Sequence, residues 1–149
     1  MTEARSEVGV QAYAQWAVIE IRNNFRASDE SIAVKGAYLK WGKFHAATDK
    51  DTEVSIDDIN KIVVAKGQSR KIYTCGKEHA ASGTEGGVDL YISGTSTKIA
   101  SLYWDCPWGS KQNTFNVQDQ VEDYPVSQEG ANLNSGALGT VTVKVSKAG

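Results

Sequence analysis

Proline and sulfur are scarce in this chain: 149 residues hold two Pro, two Cys and one Met, and there are only two His. With cysteines at positions 75 and 106 alone, at most one disulfide can form, and sequence leaves the bridged and the free-thiol states both open. No apolar run approaches the roughly 20 residues that a membrane-spanning helix needs. Charge of one sign is missing too. Lys plus Arg number 16 against 18 Asp plus Glu, for a formal net charge of −2. The basic residues are dispersed, which excludes the clustered cationic face needed for nucleic-acid binding or for loose adsorption to anionic lipid. The opening MTEARSEVGV carries two Glu and no apolar h-region, so no Sec-type signal peptide is visible. The expectation is a soluble chain, cytoplasmic or exported by a non-classical route.

Catalytic signatures are equally absent. There is no G-x-S-x-G elbow, no phosphate-binding glycine loop of the common kinds and no H-E-x-x-H. His79 follows Cys75 by four residues, which along a strand is roughly 13 Å, too far for a nucleophile and its base unless Gly76 turns the chain. The same two Cys with His45 and His79 lack the paired clips of a zinc site, so they read as ordinary thiols and surface imidazoles. Asp49-Lys50-Asp51-Thr52-Glu53 opens like a calcium loop, but Val54 stands where the invariant Gly belongs and Asn60 where the closing Glu belongs. A solvated acidic turn is expected there. No enzyme activity, metal or cofactor is therefore expected.

What is present is glycine, 14 of them, and many short β-branched or aromatic runs broken by polar turns. This pattern predicts an all-β, single-domain antiparallel β-sandwich over residues 11–146, preceded by a tail over 1–10. Strands are expected at Gln11 to Arg22, Ser31 to Phe44 with a bulge at Gly36, Lys61 to Ala65, Lys71 to Cys75, Val88 to Ser93, Lys98 to Asp105, Thr114 to Val117, Gln120 to Val126 and Thr140 to Val145. Gly94-Thr95-Ser96-Thr97 suits a hairpin, and Ser55 followed by Asp58 suits the start of one helical turn. In the last strand, Val141, Val143 and Val145 share one face.

Chemistry concentrates in Tyr103-Trp104-Asp105-Cys106-Pro107-Trp108-Gly109-Ser110-Lys111. Trp104, inside a strand, reads as a core anchor. Trp108, in a Pro-Trp-Gly turn, projects from a loop tip, where an indole suits the headgroup depth of a bilayer. Lys111 offers a cation for a phosphate, while Asp105 or an aromatic face can hold an ammonium. Trp41-Gly42-Lys43 is a smaller copy of the same chemistry. A zwitterionic phospholipid headgroup fits these groups; a carbohydrate-binding module also displays Trp, Asp and Asn at loop tips.

Ala12-Tyr13-Ala14-Gln15-Trp16, Trp41-Gly42-Lys43, Asp49-Lys50-Asp51, Cys75-Gly76, the Trp104-to-Lys111 string and Ser135-Gly136-Ala137-Leu138-Gly139-Thr140 together resemble the aegerolysins, in the family's order and over nearly the whole domain. The resemblance implies a sandwich like that of small cytolysins and peripheral binding to sphingolipid membranes, either sphingomyelin with cholesterol or ceramide phosphoethanolamine. It also implies that a larger perforin-like partner forms the pore. By motif position, the implied lipid contacts are Trp16, Trp41, Trp108 and Lys111, with Tyr103 and Asp105 beside them. One position departs: seven residues after the first cysteine, where the sphingomyelin–cholesterol binders carry Glu, this chain has Ser82. A hydroxyl there favours the small primary ammonium of ethanolamine over choline, which needs a larger aromatic cage.

Overall fold

The apolar–polar alternation becomes two sheets enclosing one core in the computed structural model, which describes residues 7–148. Residues 1–6 of the expected tail lie outside the described residues. In chain order the elements are α1 (Glu7–Ala14), β1 (Trp16–Asn23), β2 (Ile32–Trp41), β3 (Lys43–Ala46), β4 (Asp49–Val54), α2 (Ile56–Ile59), β5 (Val63–Val64), β6 (Ser69–Cys75), β7 (Thr84–Ile92), β8 (Lys98–Cys106), β9 (Thr114–Gln118), β10 (Val126–Glu129) and β11 (Gly139–Val145). One sheet has six strands in the order β10-β11-β1-β6-β3-β4, and the other has five in the order β5-β2-β7-β8-β9. Ile19, Ile21, Ile72, Val141 and Val143 from the first meet Val34, Leu90, Ile99, Leu102 and Trp104 from the second in a single buried cluster.

The all-β sandwich stands, with local differences. Pairing is antiparallel throughout except between β1 and β11, which run parallel. The run expected as a strand from Gln11 begins as helix α1, whose Ala12 and Tyr13 are buried while Val8 and Val10 are exposed. The expected Ser31-to-Phe44 strand is two strands in different sheets, broken at Gly42, whose φ of +92° turns the chain. A Cβ at Gly42 would stand 2.6 Å from the Cys75 carbonyl oxygen, so both conformation and space require glycine. The acidic turn expected at Asp49 is the edge strand β4, paired with β3. Gln120 to Val126 is largely turn, and the strand there starts only at Val126.

Other expectations hold. The β2–β7 register shifts around Gly36, which has a φ of +59°. Ser55 caps α2, its side chain accepting from the Asp58 amide at 3.1 Å. The hairpin joins β7 to β8, and Val141, Val143 and Val145 are all buried.

These strand directions collect one set of chain reversals at one end. Trp16 at the start of β1 lies opposite Cys75 at the end of β6; Trp41 near the end of β2 lies opposite Glu85; Thr84 at the start of β7 lies opposite Cys106 at the end of β8. The sheets are tied together there. Thr74 of β6 and Thr84 of β7 share a hydroxyl–hydroxyl hydrogen bond, and the Trp104 indole donates to the Thr84 hydroxyl at 3.1 Å.

Candidate functional site

At that end lies a cavity of about 660 Å³, within the range of small-molecule sites. Trp41, Ser82, Asp105, Trp108 and Lys111 all line it, together with Thr84, Glu85 and the Cys106–Pro107 turn. Five of the seven residues singled out from sequence therefore converge. The close approach of Gly83 to the Cys106 carbonyl sets the distance between the two walls.

Each of those side chains is positioned differently. Trp41 ends β2 and is 53% exposed, a large apolar surface left in water beside the cavity mouth. Trp108 is half-buried, and it packs with Trp16 against a small cluster of Ala12, Tyr13 and Cys75. Trp16 does not line this cavity; the Lys50 ammonium lies 5.6 Å from its ring centroid. Tyr103 also lies outside the lining, and its hydroxyl donates to Glu85. Burial, reinforced by that carboxylate, pushes the Tyr103 phenol well above its usual value. Asp105 is raised too, by burial first and by neighbouring Glu85 second, while Lys40 and Lys111 draw it partly back. Lys111 is exposed and enters no ion pair or side-chain hydrogen bond among the described residues, so its charge is available.

Glu85 and Thr84 are site residues that the sequence reading passes over. The expected strand begins at Val88 because Gly86-Gly87 weakens the strand pattern, yet β7 extends back to Thr84. Both glycines are sites of close approach: Cβ atoms there would run into the Tyr38 carbonyl and, at 2.9 Å, its ring.

Trp104 is fully buried, as its place in the strand implies, and contacts Phe44 edge-on with centroids 6.1 Å apart. Both cysteines are buried and not joined in a disulfide, and burial pushes the Cys106 thiol up to about 11, so Cys106 is an inert packing group. Among the described residues no group of three or more His, Cys, Asp or Glu is placed to hold a metal ion. No described helix is long and apolar enough to cross a membrane.

His45 is not the surface imidazole that the sequence implies. It is buried in β3 beside the Tyr73 ring, Nδ1 donating to the Ala46 carbonyl at 2.7 Å and Nε2 left without a partner. Burial, with help from Lys50 and Lys43, holds its pKa below the usual value. An unfolded chain, with a pKa of about 6.5, takes up this proton before the folded one. The stability His45 confers is therefore complete above about pH 6.5 and falls as the pH drops through that value, by up to about 1.4 kcal/mol per unit. Urea midpoints at pH 7.5 and 5.0 should differ more in the native protein than in His45→Gln; equal differences would refute this reading.

The aegerolysin family model matches residues 14–148. The chain is 41% identical over 138 residues to Asp-hemolysin of Aspergillus fumigatus, covering 93% of this chain and 96% of that protein. It is 44% identical over 140 residues to aegerolysin Aa-Pri1 of Cyclocybe aegerita, covering 93% and 94%. Among solved structures, IP-1A from Alcaligenes faecalis superposes with a TM-score of 0.84 at 39% identity, covering 97% of this chain and 99% of that one. The shared sheets, the Trp104-to-Lys111 string at the cavity wall and these relationships together place the chain in the aegerolysin family, a family of lipid-binding, cytolysin-like proteins.

Proposed function

We propose that this protein docks on membranes by gripping one phosphosphingolipid headgroup, ceramide phosphoethanolamine before sphingomyelin, in the cavity between Trp41 and Lys111. The observation that carries the proposal is the meeting of Trp41, Ser82, Asp105, Trp108 and Lys111 around one opening. Lys111 is the cation for the phosphate, Asp105 and Ser82 accept from the ammonium, and the indoles enter the headgroup layer. Trp16, packed with Trp108 against one cluster, and Tyr103, bonded to Glu85, steady the residues of the rim.

Magnitudes argue for more than an aromatic anchor. Each indole freshly buried is worth roughly 2 kcal/mol, whereas association costs at least about 4 kcal/mol. Trp16 and Trp108 are already half-buried, so the rim alone falls short and polar headgroup contacts must supply the remainder. Clustered lipid adds avidity, and a perforin-like partner collected on the docked copies would do the inserting. The pure protein is expected to leave vesicles sealed.

Vesicle pelleting tests this. Trp41→Ala and Lys111→Ala should each lower retention on ceramide phosphoethanolamine vesicles by about tenfold or more, equal to about 1.4 kcal/mol, with unchanged unfolding midpoints. Stronger retention on sphingomyelin–cholesterol vesicles would reverse the lipid ranking. Retention on glycans but on neither vesicle would favour the carbohydrate-binding alternative and end the proposal.

A further inference from the structure

Glu85 and Asp105 face each other directly across β7 and β8, and both line the cavity. Like charges in this register cost stability, because their side chains are close neighbours on the same sheet face. Several other carboxylates meet cations: Glu30 pairs with Lys147, Glu129 with Lys144 and Asp89 with Lys98. Here, among the described residues, neither carboxylate closes an ion pair, and Asp105 accepts no hydrogen bond. Glu85 takes one bond, from the Tyr103 hydroxyl to Oε2, which orients the group and leaves Oε1 toward other donors. The nearest fixed cations to Asp105, Lys40 and Lys111, influence it only through space.

We propose that Glu85, set opposite Asp105 in the cavity that also holds Lys111, is the specificity-determining acceptor for a primary ammonium on the headgroup, supplying the carboxylate that position 82 lacks. This rests on the headgroup-binding reading above and deepens it. A primary ammonium has three N–H donors, enough to bond Glu85, Asp105 and the Ser82 hydroxyl together, and its charge relieves their mutual repulsion. A trimethylammonium has no donor. It carries the same charge but would strip water from two carboxylates and return no hydrogen bond, which leaves part of their desolvation cost uncompensated. The phosphate, one short linker away, falls to Lys111 on the same wall.

A residue serving only the fold and one serving recognition predict opposite results. Glu85→Gln keeps an oxygen for the Tyr103 hydroxyl but removes the charge. Its unfolding midpoint should stay level or rise, since repulsion with Asp105 is gone, while retention on phosphatidylcholine vesicles doped with ceramide phosphoethanolamine falls about tenfold. Preference for that lipid over sphingomyelin in the same carrier should collapse. Asp105→Asn should behave alike, whereas Lys111→Ala should weaken binding to both lipids and leave their ratio near the native value. Native-like retention and ratio in both Glu85→Gln and Asp105→Asn would overturn the assignment of Glu85 and leave headgroup binding intact. A lower unfolding midpoint in both, with the lipid ratio kept, would make the pair structural and also overturn it. If the native protein is retained by neither vesicle, the headgroup reading itself fails and takes this inference with it.

Discussion

Trp104→Ala is expected to lose about 3–5 kcal/mol of unfolding free energy, the largest effect of any single truncation in this protein. The indole is fully buried, rests edge-on against Phe44 and donates through Nε1 to the Thr84 hydroxyl, which in turn meets Thr74. Truncation therefore opens a cavity where the two sheets join and leaves one of the threonine hydroxyls short of a partner. Trp104→Phe should recover most of the packing but not the hydrogen bond, and should fall between the two. Urea denaturation of all three proteins checks this. A loss under about 1 kcal/mol for the alanine variant would mean that the sheets are held elsewhere.

Gly83→Ala is the second large expectation. A methyl group at this position would overlap the Cys106 carbonyl oxygen and press on Pro107. Backbone atoms cannot swing aside as a flexible side chain can, so the segment containing Ser82 and Thr84 and the Cys106-to-Trp108 turn must separate. The stability cost should be about 3 kcal/mol, the upper end for overpacking. Function should suffer further, because the segments forced apart are opposite walls of the cavity. Vesicle retention is expected to disappear at temperatures where circular dichroism still shows the folded sandwich. Wild-type retention and midpoint would show that the two segments are free to part without consequence.

Much of the architecture is written locally. Thr140 to Val145 alternates cleanly because one of its faces meets the core, and the Ser55 cap and the Gly94 hairpin depend on a few adjacent residues. Where the reading fails, long-range packing overrides the local pattern. Gln11 to Ala14 is apolar like the strand that follows, yet it coils into α1, and the Gly76 amide bonds to the Ala12 and Gln15 carbonyls at 3.1 Å. Asp49 to Val54 is polar enough to read as a loop but is held as an edge strand by pairing with β3. Gly42 looks like part of a chemical motif and is in fact the crossover between the sheets.

The site was partly legible for the same reason. Trp41, Trp108 and Lys111 announce themselves by type, and Ser82 by its departure from a family pattern. Glu85 does not, since an acidic residue beside two glycines resembles a surface turn until the partner strand places Asp105 opposite it. His45 likewise gives no sign of burial in its own neighbourhood, which is Lys43-Phe44-His45-Ala46; only the flanking β4 and β6 enclose it.

The parallel pairing of β1 with β11 has a practical outcome for anyone labelling this protein. Because Ala17 sits beside Gly139 and Asn23 beside Val145, both strands leave the tryptophan-bearing end together, and the segment after Val145 emerges at the opposite pole. A fluorescent fusion joined there hangs clear of the indoles. α1 leads directly into Trp16 at the other end, so the carboxyl side is the better place for an imaging reporter or a surface tether.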